Sequence, residues 1–339
     1  MKRSVSLLLC MAFFLGGCAK VQDFGSSVKY NIQGEYYLQE KKFQQGSKIF
    51  SAAISKEPQN PEAHYYYGRF LLAEDKTDKA LPHLQQAVSL DPGKSKYHFW
   101  LGVAQGEMGK VELERRSYNE ALLIDPKNTQ ALTYLGNNLL KAGKYEEALE
   151  YYARTLELNH FNPQALYNRA VILRKQGRLP EEKDAWLKYL HAYPAGSFAR
   201  RAADRLNSLG DHSYRNHRLG VRTVTLSKID FVPFSDMPSS RTYPSLNLVG
   251  ATVANMPEGV LNIIVYQLNN RELARKRALN IGNYLAKQFP DLKKNNRIRL
   301  SWFDVPEKRT VLNTPLRLNE SVRFFLTDFK NSDKKTGRK

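Results

Sequence analysis

From about Ser27 to Pro194 the small and the large apolar positions of the chain recur at an interval of 34 residues. Gly34, Gly68, Gly102, Gly136 and Ala170 share one column, and Phe50, Leu84, Tyr118, Tyr152 and Trp186 share another. Two further columns are alanine-rich, Ala80 with Ala148, and Ala53 with Ala87 and Ala121. Pro58, Pro92, Pro126 and Pro194 close the units, with His160 in the remaining slot. Small residues let two helices approach, a large ring or Leu fills the space beside them, and Pro cannot continue a helix. Gly109, Gly143 and Gly177 fit the turn between the two helices of a unit. The pattern predicts five helix pairs, 27–60, 61–94, 95–128, 129–162 and 163–196. Glu114 and Glu182 depart from it, because they stand where the second helix otherwise carries a small residue; Tyr189 replaces an Ala.

Residues 197–209 predict one more helix, with Phe198, Ala202 and Leu206 on a stripe and Arg200, Arg201, Asp204 and Arg205 around it. Such a helix suits the polar cap that ends a repeat array. The polar stretch Asp211–Gly220 predicts a linker. Beyond it the period changes. Val221–Leu226 and Ile229–Phe234 predict strands, Tyr243–Asn255 a helix, Val260–Leu268 a strand and Asn270–Phe289 a helix. Ile298, Leu300 and Trp302, then Val322, Phe324 and Leu326, alternate as in strands. The order is β-α-β-α-β-β, a small α+β domain over 221–328, followed by a basic tail at 329–339.

A period of 34 residues with these columns is similar to the tetratricopeptide repeat. The resemblance implies an all-α solenoid over 27–210. It also implies that positions two, five, nine and twelve of each first helix line a concave face. The fifth column reads Asn31, Tyr65, Phe99, Thr133 and Tyr167; the ninth includes Arg69 and Asn137, and Arg174 lies in the twelfth. Rings beside Arg and Asn suit a bound peptide, with the rings covering apolar side chains and the polar groups holding backbone. The competing reading is that some of these rings pack between repeats.

At the N-terminus, Lys2 and Arg3 precede the apolar run Ser4–Leu15 and then Leu15-Gly16-Gly17-Cys18. A basic start and a short apolar core describe a secretory signal over 1–17, too short to span a membrane. The four last residues resemble the bacterial lipobox. That resemblance implies cleavage before Cys18, its acylation and, with Ala19 following, the inner leaflet of the outer membrane. Residues 18–26 would be the lipidated tether. Cys10 leaves with the signal, so Cys18 remains the one cysteine and no internal disulfide forms.

The α+β order resembles the OmpA-like envelope domain. Asn270-Arg271-Glu272-Leu273-Ala274-Arg275-Lys276-Arg277-Ala278 matches the opening of its helix, and Asn319-Glu320-Ser321-Val322 its late Asn-Arg-Arg-Val. The resemblance carries Asn270 and Arg277 over as peptidoglycan contacts. The acidic partner of that arginine in the family is absent here, and the alternative is an arginine solvated on its helix.

Residues 197–339 hold 26 Lys/Arg against 12 Asp/Glu, a net of +14. Behind a lipid anchor such charge points to acidic headgroups, wall carboxylates or an acidic protein face rather than nucleic acid. Arg297, Arg299 and Arg323 are expected on an exposed sheet face. No phosphate loop, nucleophile elbow or metalloprotease motif occurs, and Asp211, His212 and His217 in the polar linker are read as solvated rather than as metal ligands. The expectation is a protein without catalytic activity or cofactor: a lipid-anchored periplasmic adaptor for envelope proteins. It resembles repeat lipoproteins of tight-adherence (Flp) pilus systems and pilotins, which implies secretin, pilin or assembly-factor partners. The alternative is an organiser tying the outer membrane to peptidoglycan or recruiting wall enzymes.

Overall fold

The computed structural model describes residues 25–311 and 313–327. Cys18, the signal 1–17, the first part of the tether and the tail 329–339 lie outside the described residues. A helix α1 over 25–39 is followed by α2 (Phe43–Lys56), α3 (Pro61–Ala73), α4 (Thr77–Leu90), α5 (Ser95–Glu107), α6 (Val111–Ile124), α7 (Thr129–Lys141), α8 (Tyr145–Leu158), α9 (Pro163–Lys175), α10 (Leu179–Ala192) and α11 (Gly196–Ser208). The expected tetratricopeptide solenoid is therefore present, five helix pairs and a closing helix. The chain divides into two compact units, Met1–His160 and Phe161–Lys339.

Local chemistry sets the helix ends. The side-chain oxygens of Asn60, Asn128 and Asn162 accept from the amides of Ala63, Ala131 and Ala165 at 3.0, 3.0 and 2.9 Å, which caps the first helix of three repeats. Gly109, Gly143 and Gly177 take left-handed φ values of 72, 75 and 68° at the turn. In the first two repeats Lys41 and Asp75 hold the same slot with φ of 54 and 58°, so the turn geometry outlasts the glycine.

The packing columns meet as the period predicts. A Cβ on Gly68, Gly102 or Gly136 would fall 2.6, 2.5 or 2.7 Å from Leu84, Tyr118 or Tyr152 of the paired helix. Gly34 departs and faces Tyr66 of the next repeat. The two charged departures are both accommodated. Glu114 lies against Gly106, which makes room for it, and accepts from the Tyr118 hydroxyl at 3.1 Å. Glu182, fully buried, accepts from Arg205 Nε at 2.7 Å, Arg205 Nη2 at 2.8 Å and Trp186 Nε1 at 3.0 Å.

The second unit continues with β1 (Tyr214–Leu219), β2 (Arg222–Ser227), α12 (Tyr243–Ala254), β3 (Val260–Gln267), α13 (Arg271–Gln288), α14 (Pro290–Lys294), β4 (Ile298–Phe303), β5 (Glu307–Val311), β6 (Thr314–Leu318) and β7 (Glu320–Thr327). β3 lies between β4, parallel to it, and β7, antiparallel to it. Leu261, Ile263 and Val265 of β3 meet Ala274, Ala278, Ile281 and Leu285 of α13 and Leu246, Val249 and Val253 of α12 in one core.

Four expectations are corrected. The stretch 211–220 is not a linker: Tyr214–Leu219 is a strand paired with β2, and its Asn216 donates to Arg200 O at 2.9 Å and Asp204 Oδ1 at 2.8 Å on α11. Its inward side chains, Arg215 and His217, are polar, which hid the alternation. Residues 229–234 make only a bridge from Phe231 to Pro238, because Pro233 removes a donor and a turn follows. The hairpin β5–β6 falls in a stretch where no strand is predicted. Arg297 does not face solvent; it is buried and donates to Gly259 O at 2.9 Å and Val253 O at 3.0 Å.

The glycine column predicts its own test. Gly102→Val drives branched carbons into Tyr118 and should lower stability by about 2–3 kcal/mol in urea titration. Gly143→Asn, at an open left-handed turn, should cost under about 1 kcal/mol.

Candidate protein-docking site

In the first unit, the concave-face columns of α1, α3 and α5 separate into buried rings and a polar surface. Tyr65 and Phe99 are each 1% exposed and Thr133 2%, so these three expected groove residues offer a partner almost no area. Tyr65 packs on Tyr66 and Tyr97 with centroids at 4.7 and 4.9 Å; Phe99 packs on Tyr118 and Tyr134 at 5.6 and 5.2 Å. The alternative reading, packing between helices, holds for them. Thr133 turns its hydroxyl onto Thr129 O at 2.7 Å.

Above the rings lies a charged, aromatic surface. Arg69 donates to Glu35 at 3.2 Å and to the Tyr65 hydroxyl at 3.0 Å, and its guanidinium stacks on Trp100 at 4.3 Å. Asn31 accepts from the Tyr66 hydroxyl at 3.0 Å and from Lys96 Nζ at 2.7 Å. Lys96 lies over the Tyr65 ring at 4.9 Å. Its burial, joined by the Lys94 and Arg69 charges, holds the ammonium below the ordinary lysine value against the pull of Glu62 and Glu35. Asn137 accepts from the Tyr152 hydroxyl at 2.7 Å, which fixes it to the packing column. Lys96 and Trp100 were missed by the sequence reading. Lys96 occupies the second position of its first helix, one of the concave columns, so the signal was present.

In the second unit, α9, α10 and α11 enclose a cavity of about 600 Å³. Its walls are Tyr167, Val171, Arg174 and Lys175 from α9, Trp186 from α10, and Arg201, Asp204 and Arg205 from α11. Tyr167, half-buried, is held by Trp186, Tyr189 and Phe198 with centroids 5.1, 5.2 and 4.7 Å away. Arg174 and Arg201 are exposed at the cavity. Arg205 is paired with Glu182, and Asp204 keeps its charge while accepting from the Asn216 amide; with Arg174, Lys175 and Arg201 the walls remain net positive. Burial alone would raise the Glu182 carboxyl; the hydrogen bonds from Arg205 and Trp186 outweigh it and hold the group below its ordinary value. A cationic rim over an aromatic floor takes an acidic, partly apolar segment.

Asn270 and Arg277, the expected peptidoglycan contacts, both make bonds that hold the fold. Asn270 caps α13, accepting from Leu273 N at 2.9 Å. Arg277 is 4% exposed and donates to Glu320 at 2.8 Å, Gln267 at 2.6 Å and Ser235 O at 3.2 Å. It is not a solvated helix residue. Asp211 pairs with Lys183 at 3.1 Å, and His217, expected to be solvated, is buried against Phe324 with ring centroids 5.5 Å apart. Among the described residues no group of three or more potential metal ligands occurs.

A tetratricopeptide repeat family profile matches residues 71–129 and 135–197, and a second such profile matches 37–98. Among solved structures, one described as a functional characterisation of Pseudomonas aeruginosa pilF is similar at 19% identity. The match covers 56% of this chain and 87% of that one, with a TM-score of 0.52. MamA is similar at 18% identity and TM-score 0.43, over 47% of this chain and 93% of its own. YrrB, described as a TPR protein with an unusual peptide-binding site, is similar at 19% identity and TM-score 0.42, over 49% and 86%. No curated protein matches the sequence. The profile matches and the likeness to the pilF structure support the repeat fold.

The buried carboxylate beneath the cavity gives an acid limb of known sign. Because its folded-state value is depressed, its stabilisation is present above the unfolded-state value and is lost as pH falls below about 4.5. Glu182→Gln should cost about 3 kcal/mol at neutral pH and flatten the loss of melting temperature on acidification.

Proposed function

We propose that this protein is a non-enzymatic adaptor that holds protein partners on the concave side of its repeats. The carrying observation is the cavity at Tyr167, Trp186, Arg174, Lys175 and Arg201, where positive charge surrounds an aromatic floor. It suits an acidic peptide segment, and the Arg69–Trp100 stack with Lys96 offers comparable chemistry in the first unit. The lipobox-like Leu15–Cys18 supports an acylated protein on the periplasmic face of the outer membrane. The resemblance to tight-adherence pilus and pilotin lipoproteins supports a place in pilus or secretion-apparatus assembly, with secretin, pilin or assembly factors as partners.

Capture from envelope extract tests the docking surface. Arg174→Glu with Arg201→Glu should weaken the captured partner about tenfold or more, equal to about 1.4 kcal/mol, at an unchanged melting temperature. Tyr65→Ala and Phe99→Ala should instead cost about 3–5 kcal/mol of stability each, because both are core. A charge-reversed protein that melts like wild type and keeps every partner excludes the cavity as the docking surface. For the anchor, Cys18→Ser should abolish labelling by a fatty-acid analogue and release the protein to the soluble fraction; a labelled, membrane-bound variant refutes acylation at that site.

A further inference from the structure

Between β2 and α12 the chain makes a tight turn whose apolar side chains point away from the core. Phe231 and Pro238 at its base are buried, whereas Val232, Phe234 and Met237 are 45, 103 and 52% exposed. Ser235 N donates to Val232 O at 3.0 Å and Val232 N to Met237 O at 2.9 Å, which closes the tip. Phe234 there has φ of 57°, a left-handed backbone that glycine or asparagine ordinarily takes. A bulky residue in a strained conformation, fully in water, does nothing for the fold that glycine would not do better.

The tip is fastened from beneath. Arg277 donates to Ser235 O at 3.2 Å and stacks on Phe231 at 4.1 Å, while Glu320 and Gln267 hold its other side. Asn280 donates to Asp236 O at 3.0 Å. The apolar tip is thus presented on a stiff mount, so little ordering is left to do when it is covered.

We propose that this turn inserts Phe234, with Val232 and Met237, into an anionic lipid surface. A convex apolar tip cannot enclose a partner's side chain; its shape suits entry into a medium that yields. The charge fits the same occupant. Residues 197–339 carry 26 Lys/Arg against 12 Asp/Glu. Arg241 flanks the turn and Lys276 precedes the arginine that fastens it, both with solvent access. Of the acids in the turn, Asp230 is bridged by Lys228 at 2.9 Å, and Asp236 is half-buried. Apolar insertion and attraction to acidic headgroups then act together. This inference does not rest on the docking cavity or on acylation of Cys18; it adds a second contact with the lipid surface, made by the α+β region.

The test uses the full chain with Cys18→Ser, so that no acyl group contributes, and vesicles of phosphatidylcholine with or without an equal part of phosphatidylglycerol. The protein should co-float with the anionic vesicles and far less with the neutral ones. Phe234→Gly should lower partitioning about tenfold or more, with a melting midpoint not below that of the parent, because glycine accepts the left-handed backbone. Undiminished binding by Phe234→Gly would show diffuse charge and overturn the proposal, as would equal binding to neutral vesicles. A folded parent that floats with neither vesicle also overturns it and leaves a protein pocket as the occupant of the tip.

Discussion

Two helices approach each other only as closely as the Cβ atoms between them allow. In this protein that limit is lifted at Gly68, Gly102 and Gly136, where the space is taken by Leu84, Tyr118 and Tyr152 of the partner helix. The repeats depend on that exchange. It sets the spacing within those three pairs. The charged surface of Asn31, Arg69 and Lys96 in the first unit lies over rings that are themselves core.

The repeat architecture was legible because it is written twice over, in spacing and in residue size. What lies on the concave side was less so. Family position names columns but not the direction in which each side chain turns. Tyr65 and Phe99 stand in a concave column, yet their rings fill the gaps between helices. Their neighbours Lys96 and Trp100 reach the surface instead. Helical position fixes where a Cα lies, and the volume available then decides where a ring goes.

In the α+β region the misread arginines have a common cause: polar side chains buried with partners remote in sequence. Arg215 looked like part of a solvated linker, but both carboxylate oxygens of Glu307, 92 residues away, accept from its Nη2 at 2.9 and 2.7 Å. Arg277 looked like an exposed helix residue, but Glu320 from β7 and Gln267 from β3 enclose it. A hydropathy pattern counts such residues as surface. The fold buries them because each charge finds a fitted counter-charge or carbonyl, and leaving one unpaired would be costly.

The bonding of α11 has a consequence for how this protein can vary over evolutionary time. Repeat arrays ordinarily lengthen by duplicating a unit, and a free terminal helix is where a copy can be appended. Here the helix that closes repeat five gives Arg200 O and Asp204 to Asn216 of β1, and its Asn207 donates to Tyr214 O at 2.6 Å. That face of α11 is already taken by the hairpin, so a unit added after it would break those bonds. Duplication is confined to units upstream of α11, which leaves the spacing between the cationic cavity and the exposed Phe234 turn unchanged as the repeat number drifts.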